Sequence, residues 1–370
     1  MKRELERVEI SDEHGARERA WAVLSSAFAK RTPASRRSLH WRPALALAVV
    51  LALVAAAFSS PGKGVVDRIR KTVGIEHAAP ALFSLPSPGK LLVRTDAGVW
   101  VVQRNGSRRF LGGYREASWS PFGRFLVAAR TNELAAIEPN GDVRWTLARP
   151  GVRLPSWGGT RTDTQIAYLS GRSLRVVAGD GTGDRVGCAR RVARVAPAWQ
   201  PGAPRVLAVA AHSGSVRVYS VDTCRLLWHS RPGPVPTKLE WSSDGHRLLV
   251  LAPPGLRVYD ARGRLLAEDR PPNPARDADA TFVGPENYGV VGIRVRGGQS
   301  NIFAPRTLFH ARGSLRQVTA SPDGRWLLIT WPTANQWIFV RADGKRIRAI
   351  SNASSQFESG TFPKVEGWAR

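Results

Sequence analysis

Sulfur is scarce in this chain, which has two cysteines and one methionine in 370 residues. Two thiols cannot staple a small disulfide scaffold. His212 and His229 fall in different turns from them, so no zinc-ligand spacing arises. Cys188 and Cys224 lie almost one repeat period apart, so a bond between neighbouring units is open. Two separate thiols in strand or turn positions are the plainer reading. No Gly-x-Ser-x-Gly elbow occurs, which removes a serine hydrolase of the nucleophile-elbow type. The seven histidines make no i, i+4 pair, and no acidic pair recurs at a fixed spacing for acid–base chemistry. No catalytic residue, metal ligand or cofactor site is therefore nominated.

Acidic residues are also few, 29 against 55 Lys and Arg, giving a formal charge of +26. Such an excess can release counterions from a nucleic acid. Its distribution speaks against that partner: residues 1–42 hold ten basic against six acidic residues and 43–77 hold four against two, leaving about twenty excess charges spread thinly downstream. No basic run with interleaved aromatics stands out there, as an RNA-reading strand requires. The single sequence Gly179-Asp180-Gly181-Thr182-Gly183-Asp184 resembles a calcium or phosphate loop, but one copy between two strands reads as a hairpin turn.

What the chain has in quantity is Gly (35), Pro (26) and Trp (13), the composition of many short strands joined by turns. A repeated unit accounts for them. Trp119-Ser120-Pro121-Phe122-Gly123-Arg124, Trp241-Ser242-Ser243-Asp244-Gly245-His246 and Ala320-Ser321-Pro322-Asp323-Gly324-Arg325 each precede an apolar run. Looser copies start at Leu85, Trp157, Trp199 and Phe282. Successive anchors are 34, 38, 42, 42, 41 and 38 residues apart, the period of a four-stranded propeller blade. Each blade needs a bulky anchor such as Trp119, Trp157, Trp199 or Trp241 to fill the wedge between splayed sheets. Gly123, Asp244, Gly245, Pro322, Asp323 and Gly324 supply the tight turns. The expected fold is all-β, a propeller of seven blades, with six or eight open because the copy from Phe282 to Phe309 is irregular and the tail to Trp368 can close the ring.

The N-terminal part has a different character. Ala44 to Phe58 is unbroken apolar sequence, and with its small flanking residues reaches about 17–18 positions, the lower edge of a bilayer-spanning helix. A membrane anchor is expected, with a cleaved signal peptide as the competing reading because Ala55-Ala56-Ala57 fits a cleavage site. Lys30, Arg31, Arg36, Arg37 and Arg42 precede the run without an acid among them, which favours a cytoplasmic N-terminus. Upstream, Ser11 can cap a helix that places Trp21, Leu24 and Phe28 on one face, either to dock a cytoplasmic partner or to lie on the inner leaflet. The expected layout is a cytoplasmic segment with an amphipathic helix at 1–42, a transmembrane helix at 43–60, a stalk and linker at 61–80 and an extracytoplasmic propeller at 81–370.

The Trp-Ser-Pro-Asp-Gly-Arg-type turns resemble those of the TolB-like, WD-repeat-like propeller superfamily over about residues 82–350, with Phe122 in place of the Asp, Ser243 of the Pro and Ala320 of the Trp. The whole layout also looks like membrane-anchored propeller proteins of unknown function from high-GC actinobacteria. Asp222-Thr223-Cys224…Trp228 and Gly141-Asp142-Val143-Arg144-Trp145 resemble turns of quinoprotein-type propellers, in which the Trp docks blades. Those membrane-anchored proteins supply no mechanism to transfer; the layout and the missing catalytic constellation point to a non-enzymatic, exported platform for a protein or envelope ligand, with a relay to a cytoplasmic partner. A soluble periplasmic or secreted quinoprotein-like enzyme and an envelope assembly scaffold are the alternatives.

Overall fold

The computed structural model describes residues 84–370 apart from 204, 284–288 and 305. The apolar run, the stalk and the helix carrying Trp21, Leu24 and Phe28 lie outside the described residues. Among the described residues no helix is long and apolar enough to cross a membrane.

Seven four-stranded antiparallel sheets form the ring. Blade 1 holds β1 (Lys90–Arg94), β2 (Val99–Val102) and β3 (Arg108–Gly112), and blade 2 holds β4 (Glu116–Trp119), β5 (Leu126–Arg130), β6 (Glu133–Ile137) and β7 (Val143–Ala148). Blade 3 consists of β8 (Val152–Gly159), β9 (Thr164–Ser170), β10 (Ser173–Ala178) and β11 (Arg185–Val186). Blade 4 runs through β12 (Ala198–Trp199), β13 (Val206–Ala210), β14 (Val216–Ser220) and β15 (Arg225–His229). Blade 5 follows as β16 (Lys238–Trp241), β17 (Arg247–Ala252), β18 (Gly255–Asp260) and β19 (Leu265–Asp269). Blade 6 is β20 (Arg276–Phe282), β21 (Val290–Arg296), β22 (Gln299–Phe303) and β23 (Thr307–Arg312). Blade 7 is β24 (Gln317–Ala320), β25 (Trp326–Trp331), β26 (Gln336–Arg341) and β27 (Ile347–Ser351). The last strand, β28 (Lys364–Ala369), pairs with β1 and completes blade 1 from the opposite end of the chain.

Burial follows position in the blade. Second strands such as β5, β9 and β17 are continuously buried (Leu126–Ala129, Gln165–Leu169, Leu248–Ala252), because a neighbouring blade covers each of their faces. Outermost strands are largely exposed, as in β15, where four of five residues face solvent.

The anchors occupy one equivalent place, the inner-strand position opposite the start of the second strand. Cα pairings there are Trp119 with Leu126, Trp157 with Ile166, Trp199 with Leu207, Trp241 with Leu248, Phe282 with Val290 and Ala320 with Leu327. In blade 1 the position belongs to Trp368, opposite Leu91, and not to the Leu85 of the sequence repeat. The reason is that the repeat runs from one inner strand to the next, whereas ring closure borrows the inner strand of blade 1 from the C-terminus. Trp199 and Trp241 each donate Nε1–H to a carbonyl of the preceding blade, Ser156 at 3.0 Å and Ala198 at 3.1 Å. A Cβ on Gly158 would lie 2.1 Å from the Trp199 side chain, so glycine there lets the ring press on the strand.

The turns after the inner strands of blades 2 and 5 dock backward as well. Gly245, at φ +72°, would put a Cβ 2.2 Å from the Pro201 carbonyl, and Gly123, at φ +63°, would put one 2.4 Å from the Arg370 carbonyl. Left-handed geometry and close approach both require glycine at these two positions. Outer-strand tryptophans dock forward: Trp145 donates to the Gly179 carbonyl and Trp228 to that of Ala261, each at 3.0 Å. Both indoles therefore bridge to the last hairpin turn of the next blade.

The Gly-Asp segment is the β10–β11 turn. Asp180 accepts from Thr182 N–H and Oγ1, and Asp184 accepts from Tyr168 Oη at 2.7 Å, Arg149 Nε at 2.6 Å and Arg175 Nη2 at 2.7 Å. Burial opposes ionisation of Asp184, but Arg175, Tyr168 and Arg149 outweigh it and hold its carboxyl below the ordinary value. Tyr168 is pushed up to about 12, first by burial and then by Asp184.

The two thiols are joined: Cys188 and Cys224 form a disulfide between blades 3 and 4, with Cα atoms 5.1 Å apart. This corrects the plainer reading of two separate thiols. The ring places the segment after β11 against the β14–β15 turn, a proximity that sequence spacing permits but does not require.

Candidate functional site

The seven inner strands surround a central channel with two lobes of about 850 and 970 Å³. Inner strands present a sheet edge to this space, and their unpaired backbone groups need partners. Polar side chains of the preceding blade supply several of them. Glu116 accepts from Leu154 N–H, and Ser118 Oγ accepts from Trp157 N–H at 3.2 Å. Glu240 Oε1 accepts from Thr281 Oγ1 at 2.7 Å and from Phe282 N–H at 3.2 Å. Asp279 Oδ2 accepts from Val318 N–H at 2.9 Å, while Gln317 accepts from Val365 N–H at 3.2 Å and donates to its carbonyl at 3.3 Å. These bonds clasp blades 2 to 3, 5 to 6, 6 to 7 and 7 to 1.

Lys238 sits deep in the larger lobe, 2.9 Å from Glu240 and 3.1 Å from Asp279, and also donates to the Ala280 carbonyl at 2.7 Å. Burial alone would lower its pKa, but the Asp279 and Glu240 charges overcome that and raise it. A lysine held cationic in this way is a strut between blades, not a poised base or nucleophile. Among the described residues no group of three or more His, Cys, Asp or Glu side chains is placed to hold a metal ion.

One buried carboxylate titrates unusually. Asp277 has no exposed side-chain surface and pairs with Arg294 at 2.9 Å, and Arg294 reaches Asp269 of blade 5. Burial, opposed by Arg294, raises its pKa from 3.8 to about 6. Between those values the folded chain retains a proton that the unfolded chain has released, so stability falls as pH rises through this window. The full effect is about 3 kcal/mol. Asp277→Asn removes this dependence, so the stability of the wild type relative to the variant should fall by most of that amount between pH 4 and pH 7 in urea titrations. A relative stability that is flat or rises would reject the assignment.

The repeat turns differ in one informative place. In blades 5 and 7 the turn aspartate closes the loop: Asp244 accepts from Ser242 Oγ at 2.5 Å and His246 N–H at 3.0 Å, and Asp323 from Ser321 Oγ at 2.5 Å and Arg325 N–H at 3.1 Å. Pro322 precedes Asp323, and Gly324 follows at φ +67°. Blade 2 retains only the serine half, with Ser120 Oγ accepting from Phe125 N–H at 2.9 Å. Phe122 stands where the aspartate would be and is 49% exposed. It lines both the smaller channel lobe and a separate groove of about 600 Å³ between blades 2 and 3. Sequence reading noted this replacement as a departure from the repeat without seeing a site; the departure itself was the signal.

With the geometry established, comparison places the ring among known structures. No family model matches the chain, and no curated protein matches it. Solved structures do. The C-terminal WD40 domain of Sif2 aligns at TM-score 0.54 and 12% identity over 72% of this chain and 82% of that domain. The fold is that of the WD40 propellers. The β-propeller domain of Cps50 (Swd1) from Myceliophteria thermophila aligns at TM-score 0.51 and 14% identity, covering 74% of this chain and 97% of that one. A chain of the mitotic checkpoint complex aligns at TM-score 0.50 and 14% identity, covering 64% and 79%. At these identities the likeness to WD40 propellers is one of architecture, consistent with the blade-by-blade variation in the turns.

Proposed function

We propose that this chain is a single-pass membrane protein with a cytoplasmic N-terminus, whose exported propeller binds a protein or envelope ligand and performs no chemistry itself. The observation that carries the binding role is the division of labour around the channel. Glu116, Glu240, Asp279 and Lys238 are spent on holding blades together, while Phe122 and its neighbouring arginines are left open at the mouth. A chain of the same architecture belongs to the mitotic checkpoint complex, which supports use of such a ring in protein assembly. Export is supported by the Cys188–Cys224 bond, because disulfides persist chiefly in oxidising compartments. The Ala44–Phe58 run supplies the anchor in this reading. Trp21, Leu24 and Phe28 are the residues assigned to a cytoplasmic partner that senses occupancy of the ring.

Epitope tags at the two termini test the topology. In intact cells a membrane-impermeant reagent should reach the C-terminal tag and leave the N-terminal tag untouched until lysis. A C-terminal tag reached only after lysis would overturn export. Removing residues 1–30 should preserve this pattern and abolish capture of a cytoplasmic partner; unchanged capture would remove the relay.

A further inference from the structure

The groove between blades 2 and 3 combines aromatic walls with cations that lack a counter-charge. Phe125 and Trp157 stack at 6.0 Å with 16° between their planes, and Trp145 lines the same groove. Arg124 lies 5.3 Å from the centre of the Phe125 ring, and Arg161 lies 5.4 Å from that of Phe122. Both arginines are exposed, and neither forms an ion pair among the described residues. Of the other charges lining the groove, Arg144 pairs with Glu138, and Asp180 accepts from Thr182 but keeps its negative charge, so the cationic side of the groove is the one formed by Arg124 and Arg161.

Phe122 has a local cost. The turn forgoes the two hydrogen bonds that Asp244 and Asp323 make in their blades, and a large apolar side chain is left in water. Such hydrogen bonds stabilise a turn, so blade 2 gives up turn stability where it displays an aromatic ring. A partner that covers Phe122 recovers its burial, and a carboxylate beside that partner's apolar side chain neutralises Arg124 or Arg161. The strongly positive chain would also draw an acidic segment toward this rim.

We infer that the blade 2–3 groove is a docking site for an acidic peptide segment of a partner protein, one aromatic or large apolar side chain seated against Phe122 and Trp157 and flanking carboxylates on Arg124 and Arg161. This deepens the binding-platform reading and rests on it, but it is independent of membrane topology.

The test is an array of peptides, each carrying one aromatic residue flanked by acidic, neutral or basic residues, probed with the full chain in detergent. Acidic members should bind best, and their Kd should rise steeply with salt because the contacts lie on an exposed rim. Phe122→Asp restores the turn residue of blades 5 and 7, so it should melt no lower than the wild type while weakening acidic peptides at least tenfold. Arg161→Ala should weaken them about tenfold without affecting neutral peptides. Absence of any preference for acidic members, or equal affinity in both variants, overturns the groove. Gln200 lines the smaller channel lobe; if the array yields ligands whose binding responds to Gln200→Ala and not to Phe122→Asp, the platform reading stands and the groove assignment fails.

Discussion

Truncation after Phe362 is expected to abolish cooperative unfolding, because it removes β28 and leaves blade 1 with three strands. The loss is not confined to one sheet edge. β28 pairs with β1 along five residues, from Lys90 opposite Ala369 to Arg94 opposite Lys364. On its faces Val365 and Trp368 belong to the apolar cluster that contains Phe339 and Trp337 of blade 7, and a Cβ on Gly367 would lie 3.1 Å from the Trp119 indole of blade 2. Removing it therefore exposes blade 7, blade 1 and blade 2 together, and opens the ring. The point variant Trp368→Ala keeps the strand but empties the wedge, and should cost about 3–5 kcal/mol in urea denaturation. Lys364→Ala, on the exposed first residue of the same strand, should lie within about 0.5 kcal/mol of wild type. A truncated chain that retains a sharp transition, or a Trp368→Ala variant as mild as Lys364→Ala, would show that closure contributes little.

The contrast between Leu85 and Trp368 marks how far the sequence alone could be read. Propeller period, strand character and turn glycines were legible because they are local: a blade buries its second strand on both faces, so Leu126–Ala129 and Leu248–Ala252 appear as unbroken apolar runs, and the turns before them repeat in composition. That the tail to Trp368 closes the ring was open to the sequence, but its pairing with the first blade depends on a partner more than 270 residues away, as the Arg94–Glu366 pair illustrates, so the repeat placed the blade 1 anchor at Leu85. The channel clasps were invisible for a related reason. Glu116, Ser118, Glu240, Asp279 and Gln317 differ in type, and most of their partners are backbone groups of the next blade, so no recurring motif connects them. Trp145 and Trp228 were more legible, since an indole on an outer strand has little to pack on except the neighbouring turn. Phe122 was legible only as an exception to a rule, and its meaning required knowing that Arg161 of the next blade lies over it.

Reduction of the Cys188–Cys224 bond is expected to destabilise the ring by up to about 4 kcal/mol, the chain-entropy value for a loop of this length, whose ends are 36 residues apart. The seam it crosses has the shortest strands: β11, the outermost strand of blade 3, and β12, the innermost of blade 4, have two residues each. Arg205 reinforces that seam by bonding Asp163 of blade 3 at 2.8 Å and is itself held by Asp222 of its own blade at 2.7 Å, but these groups are about one-third to one-half exposed and such pairs add at most about 1 kcal/mol. The covalent link therefore adds to the apolar packing of Trp199, Leu207 and Val209 on Leu169 and Val176 at the seam whose edge strands are shortest. Thermal or urea denaturation with and without reductant should show a lowered midpoint for the wild type, and the Cys188→Ser/Cys224→Ser chain should show that lower midpoint under both conditions. Coincident wild-type curves, with two thiols titrating in the absence of reductant, would remove both the tie and its support for an oxidising compartment. The same comparison bears on where the ring works: a chain that depends on this bond folds least well in a reducing cytosol, so retention of the propeller inside the cell should lower its abundance, and a Ser/Ser chain should lose the advantage of export.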